Sequence, residues 1–210
     1  MGPAPTIRLL GDQPVIHGRG GPTGFSFVLP GAAIEHDGVI HAWLVWFTEL
    51  PDTQKVTHAS STDGHAWTID PEPAYIDLGL GLFMPGPIPA DVRVEPDGTW
   101  VLYGWGTPDA ARRTFVSWRA TAPGPTGPWV AERILGPGAA GQWDDNGALM
   151  TSVVAVPTGL ELYYEGASRR APSTSRIGLA RSDDGVDWTR VSPPGADAAG
   201  GPVLEPGQCA

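Results

Sequence analysis

Four carboxylates, at three places in the chain, stand out as groups that could do chemistry. Asp144 and Asp145 sit side by side in Gln142-Trp143-Asp144-Asp145-Asn146-Gly147, beside a flat aromatic ring. Asp91 opens the run Asp91-Val92-Arg93-Val94, and Glu165 closes the aromatic run Leu160-Glu161-Leu162-Tyr163-Tyr164. Carboxylates in pairs suit general acid–base work, because one can hold a proton for a leaving group while another, ionised, activates water. Each also has a structural reading: Asp144–Asp145 as a solvated turn, Glu165 as a rim or turn position, Asp91 as a strand residue. Trp105 and Trp143 offer stacking platforms, and Arg93, in the run of Asp91, a ligand-binding cation.

Other chemistries find less support. The five histidines (17, 36, 41, 58 and 65) contain no pair spaced for a helix-borne metal site. Asp144-Asp145-Asn146-Gly147 lacks the acid at the twelfth position of a calcium loop. Gly18-Arg19-Gly20-Gly21 precedes no helical pattern, so no phosphate cradle is indicated. There is no Gly-x-Ser-x-Gly elbow. No metal or organic cofactor is expected.

The elements that must carry these residues are repeated. Asp37-Gly38, Asp97-Gly98 and Thr158-Gly159 each precede an aromatic-rich run, and the three glycines are 60 and 61 residues apart. Upstream lie Ala33-Ile34, Val92-Arg93-Val94 and Val153-Val154-Ala155-Val156, so run–turn–run reads as a β-hairpin. Ser61-Thr62-Asp63-Gly64-His65-Ala66-Trp67-Thr68 recurs as Ser182-Asp183-Asp184-Gly185-Val186-Asp187-Trp188-Thr189, 121 residues later. In S-x-D-G-x-x-W the Asp bonds nearby amides, Gly takes a positive φ and Trp folds back over the blade edge. The middle copy keeps only Thr126-Gly127-Pro128-Trp129. A period of this length with strands and turns predicts an all-β fold, a β-propeller of four-stranded antiparallel blades. The blades fall at about 13–70, 71–132 and 133–191, with strand stubs at 1–12 and 192–210, in a single partial domain over 1–210. Thr6-Ile7-Arg8 reads as the last strand of one blade and Pro202-Val203-Leu204 as the start of another. About 12–14 short strands and no helix beyond two turns are expected.

Composition agrees. The chain carries 13 Lys+Arg against 23 Asp+Glu, and its few clustered arginines lie in loop-like stretches, so no concentrated positive field favours nucleic acid or an anionic membrane. Gly (29) and Pro (23) are abundant, but nine Trp and 41% hydrophobic residues in short runs mark turns between strands, not disorder. One cysteine, Cys209, cannot form an internal disulfide. No basic-then-apolar leader and no apolar run near the roughly 20 residues of a membrane span is visible, and the compartment stays open.

The stretch Ile177-Gly178-Leu179-Ala180-Arg181-Ser182-Asp183-Asp184-Gly185-Val186-Asp187-Trp188 and the ending Thr126-Gly127-Pro128-Trp129 resemble the five-bladed propellers of glycoside hydrolase families 43, 32, 62 and 130. The resemblance implies a five-bladed ring of which this chain holds three blades and two stubs. It also implies a funnel lined, in the family-43 group, by a general base, an orienting Asp and a Glu general acid from successive innermost strands. Asp91, seven residues before Gly98, matches one such place, with Asp-Val where Asp-Pro is usual. Leu29-Pro30-Gly31 and Leu149-Met150-Thr151-Ser152 have no acid where the other two would stand. Either those acids belong to further blades, or Asp144 and Asp145 swing in from the loop before the third inner strand.

Two classes of function follow. One is a glycoside hydrolase-like propeller acting on an oligo- or polysaccharide through Asp91, Asp145 and Glu165, with Trp105, Trp143 and Arg93 binding substrate. The other is a non-catalytic propeller that binds carbohydrate or protein in its funnel. The distinguishing feature is the number of carboxylates facing the funnel within about 10 Å of each other. Uncovered apolar faces on the end blades would favour a homodimer.

Overall fold

The computed structural model describes residues 25–48, 54–70, 79–109, 114–192 and 200–204, together with Ile16 and Ala111. Twelve strands run in chain order: β1 (Phe25–His36), β2 (Val39–Thr48), β3 (Gln54–Ser61), β4 (Thr68–Ile69), β5 (Phe83–Val94), β6 (Trp100–Thr107), β7 (Val116–Ala122), β8 (Val130–Leu135), β9 (Gly147–Val156), β10 (Gly159–Ser168), β11 (Ala171–Ser182) and β12 (Thr189–Val191). They form three antiparallel meanders, β1-β2-β3-β4, β5-β6-β7-β8 and β9-β10-β11-β12, and no helix occurs among the described residues. These are the three propeller blades, with β1, β5 and β9 packed next to one another as the inner strands.

Local chemistry sets the hairpins. Asp37 and Gly38 both have positive φ (51° and 76°) between the partners His36 and Val39. That is the two-residue turn whose twist matches the flanking strands. The second hairpin closes with Glu95 N donating to Thr99 O (2.8 Å) and Thr99 N to Asp97 Oδ1 (2.9 Å), which leaves Asp97 a solvent-exposed turn residue.

The S-x-D-G-x-x-W motifs build the same staple twice. Ser61 Oγ accepts from Gly64 N (2.9 Å), Asp63 Oδ1 from His65 and Ala66 N (2.8 Å each), and Trp67 Nε1 donates to Gly64 O (3.0 Å). In the third blade, Ser182, Asp184, Gly185 and Trp188 repeat these bonds within 0.2 Å.

β2 and β6 are buried on both faces, whereas β10 alternates and leaves Tyr163 exposed. In β2, Trp43 and Val45 join Val92, Trp100, Leu102 and Trp118 in the seam between the first two blades, while Ala42, Leu44 and Trp46 pack on Trp67, Ile69, Val28 and Ile16. Trp43, Trp46 and Trp118 are fully buried. Each contributes up to about 4–6 kcal/mol of transfer free energy.

Two readings of the chain ends meet different outcomes. The stub expected at 1–12 lies outside the described residues. Val203 and Leu204, expected to begin another blade, instead bond Ile177 of β11 (Ile177 N to Leu204 O, 3.1 Å; Val203 N to Ile177 O, 2.8 Å). They continue the outer edge beyond β12, because β12 covers only Leu179–Arg181 and leaves Ile177 free to pair.

Candidate functional site

The inner strands place Asp91 differently from the expected strand start. It is the ninth of twelve residues in β5, near the Asp97–Gly98 turn. The strand begins earlier than the sequence suggests because Pro85-Gly86-Pro87-Ile88-Pro89 is itself extended. An inner edge strand tolerates proline, since one side of its backbone has no ladder partner. The irregularity shows in register shifts between Phe83 and Ile88 and between Pro89 and Asp91. Asp91 Oδ1 accepts from Val92 N (2.8 Å), and Oδ2 accepts from Val153 N (2.6 Å) and Ser152 Oγ (3.4 Å) on β9. The carboxylate clasps the inner strands of two blades.

Asp144 and Asp145 are buried, and their hydrogen-bond partners are not those of Asp91. Asp145, 7% exposed, accepts from Arg169 N (2.7 Å) and Gly141 N (2.9 Å), and these amides, Arg169 first, hold its carboxyl below the ordinary range. Asp144, 2% exposed, accepts from Arg190 Nε (2.8 Å) and Tyr164 Oη (2.9 Å). Arg190 also donates to Gly136 O (2.6 Å) and lies over the Tyr164 ring. Burial and the Asp144 charge push the Tyr164 phenol far above its usual value. Trp143 stacks on Tyr164 (centroids 5.7 Å apart) and donates to Gly200 O (2.6 Å). This loop is a buried polar keystone between the start of the third blade and its outer strand.

The other expected site residues are also occupied. Glu165, on β10 opposite Ile177, accepts from Ser175 Oγ. Trp105 is 9% exposed, packed edge-on to Phe115. Arg93 pairs with Glu95 and lies 5.8 Å above the Tyr103 ring. Asp91, Asp145 and Glu165 thus engage separate sets of partners.

Sequence spacing missed one constellation. His41 Nδ1 and His58 Nε2 are 2.9 Å apart, and His58 Nδ1 is 2.9 Å from Asp70 Oδ2. With Asp70 Oδ2 accepting from an N–H at His58 Nδ1, His58 Nε2 is left to accept from His41 Nδ1–H. Burial, then the neighbouring His58 and His36, lowers the His41 pKa, with Asp70 opposing. The signal that could reveal it is cross-strand register: His41 faces Ser60 and Trp43 faces His58, so the histidines are diagonal neighbours on β2 and β3. Trp43 and Trp100 surround them, which places the relay in an inter-blade seam. Among the described residues no three His, Cys, Asp or Glu side chains converge as a metal site.

Comparison with known proteins places the fold. No family model matches the chain, and no curated protein matches its sequence. Solved structures do resemble it. A family 117 glycoside hydrolase from the marine bacterium Zobellia galactanivorans superposes with a TM-score of 0.61 at 20% identity, covering 80% of this chain and 56% of its own. An N-acetylgalactosamine deacetylase from F. plautii, solved with blood group B trisaccharide, gives 0.60 at 16% identity over 89% and 58%. The β-1,2-mannobiose phosphorylase of Listeria innocua gives 0.56 at 16% over 83% and 44%. The chain spans roughly half the length of these structures. It has the propeller blade architecture of the glycoside hydrolases and phosphorylases it resembles, a scaffold on which those proteins carry more than one chemistry.

Proposed function

We propose that this chain is a glycoside hydrolase-like propeller that binds an oligo- or polysaccharide at the axial end of its inner strands, without an acid–base pair among its described residues. The observation that carries this reading is the hydrogen bonding of the candidate acids. Asp91 and Asp145 accept from backbone amides on both carboxylate oxygens, and Glu165 accepts from Ser175. A general acid needs a raised pKa, which burial without donors provides and amide donors oppose. Hydrolysis is the second reading, favoured by the likeness to a family 117 glycoside hydrolase.

The test uses the 210-residue chain. Affinity electrophoresis in gels containing arabinan, xylan, mannan or fructan should show retardation without release of reducing sugar. Retardation by none of these polymers would overturn the binding reading. Sugar release that falls about a hundredfold or more in Asp91→Asn would establish the hydrolytic one instead.

A further inference from the structure

Four of the six large apolar side chains exposed among the described residues, Val154, Tyr163, Ile177 and Leu204, lie on one face of the third blade. Cross-strand register puts them there. Glu161 of β10 lies between Val154 of β9 and Arg181 of β11, Tyr163 is opposite Leu179, and Ile177 lies between Glu165 and Leu204. Paired residues share a face, and alternation sends Leu162, Tyr164 and Ala180 to the other one, in the core that includes Leu135 of the second blade. The exposed set is therefore on the side turned away from the second blade. Apolar side chains gathered on one face in this way mark an interaction surface.

The opposite end of the three-blade stack is covered. The first blade turns Ala42, Leu44 and Trp46 away from the second, all three are buried, and Ile16 packs on them. A second copy therefore has no open first-blade face to seat on this one, which is how consecutive blades stack. The same face on two copies is free to meet itself, and such an isologous contact closes at a dimer.

The charges on the face suit that pairing. Glu161 Oε1 accepts from Arg181 Nε (2.9 Å) and Nη2 (2.8 Å), and Glu161 Oε2 from Tyr163 Oη (2.8 Å). Arg181 is still 57% exposed, so part of its guanidinium faces outward. A two-fold axis parallel to the strands, between β10 and β11, exchanges these strands across the contact. Each Glu161 then faces Arg181 of the second copy, each Tyr163 faces its Leu179, and each Ile177 lies on the stem of its Glu165, whose carboxylate Ser175 holds. The chain carries a formal charge of −10, so two copies repel at long range. A carboxylate and a guanidinium that change places across the contact offset that repulsion locally and fix the register.

We propose that two copies of this chain pair through the outward faces of their third blades about a two-fold axis, independently of the axial sugar site. The test is sedimentation velocity of the 210-residue chain over a range of concentrations. The expected result is a shift from monomer to dimer as concentration rises, with nothing larger. Ile177→Glu should weaken the dimer about tenfold or more, whereas Val130→Glu, on an exposed residue of the second blade, should leave it unchanged. Glu161→Arg and Arg181→Glu should each be monomeric alone, because like charges then oppose across the contact. An equimolar mixture of these two variants should form the dimer again, since opposite charges meet once more. Misfolded variants do not recover on mixing, so this result separates the contact from a loss of fold. A parent chain that stays monomeric at about 100 µM would overturn the proposal. So would assemblies beyond the dimer, an Ile177→Glu chain that pairs as the parent does, or a mixture that stays monomeric.

Discussion

Replacing Asp144 by Asn should unfold the third blade's keystone at a cost of about 3 kcal/mol. Asp144 is 2% exposed, and its carboxylate bonds both Arg190 and Tyr164. Removing one member of a buried ion pair usually costs about 3–5 kcal/mol, because the other charge is left uncompensated. Here the Arg190 side chain is 25% exposed and keeps its bond to Gly136 O, so water recovers part of that loss and the pair accounts for about 2 kcal/mol. Turning the phenol's charged acceptor into a neutral one adds about 1 kcal/mol. For a chain of this size the total corresponds to a Tm about 6–12 °C lower. Equilibrium urea unfolding followed by tryptophan fluorescence reads it directly, since Trp143 stacks on Tyr164 within the same network. The mechanism is isolated by a double-mutant cycle with Arg190→Met, in which the two substitutions should couple by about 1–2 kcal/mol. A single-variant loss under about 0.5 kcal/mol, or additive losses in the cycle, would refute the account.

Three further outcomes follow from the geometry. Burial holds the His41 imidazole below its ordinary pKa, so as pH drops through the usual histidine range the unfolded chain binds the extra proton and stability falls; Tm at pH 5.5 against 7.5 should show this, with a flatter profile in His41→Gln. Ser182→Ala removes the acceptor of the buried Gly185 amide and should cost about 1–2 kcal/mol in urea unfolding, whereas Ser175→Ala on the exposed surface should cost little. Gly104→Ala should prevent folding or lower Tm severely, because its Cβ would lie 2.2 Å from Ile88 O and 2.4 Å from Trp118. Gly98→Ala, with nothing within 4 Å but φ of 86°, should cost only about 1 kcal/mol.

What the sequence reveals is what is local. The Asp37–Gly38 turn and the Ser182–Trp188 staple are each closed by bonds between residues no more than three apart, so their pattern carries their geometry. Three blades follow from the repeat because each is a meander of consecutive strands. The site residues depend on distant partners and are not legible in this way. Asp144–Asp145 reads as a solvated turn until Arg190, 46 residues later, arrives to compensate the charge. Asp91 reads as a strand start because a proline-rich approach looks like loop, and only the unpartnered side of an inner strand makes that approach extended. Trp105 and Trp143 look like stacking platforms, yet one is buried against Phe115 and the other is held by Gly200, and no spacing rule encodes either contact.

The clasp between Asp91 and Val153 also bears on solubility. Among the described residues β9 pairs with β10 alone, apart from the Phe115–Gly147 bridge at its start, and the Val153 amide that bonds Asp91 points away from the β10 ladder. An amide row facing outward from an unpaired strand is a template on which another polypeptide can add as an extra strand. A carboxylate seated on that amide uses up the donor and sets a negative charge in the path of an incoming backbone carbonyl. On this account Asp91→Ala should seed assemblies that bind thioflavin T under conditions where the parent chain stays clear.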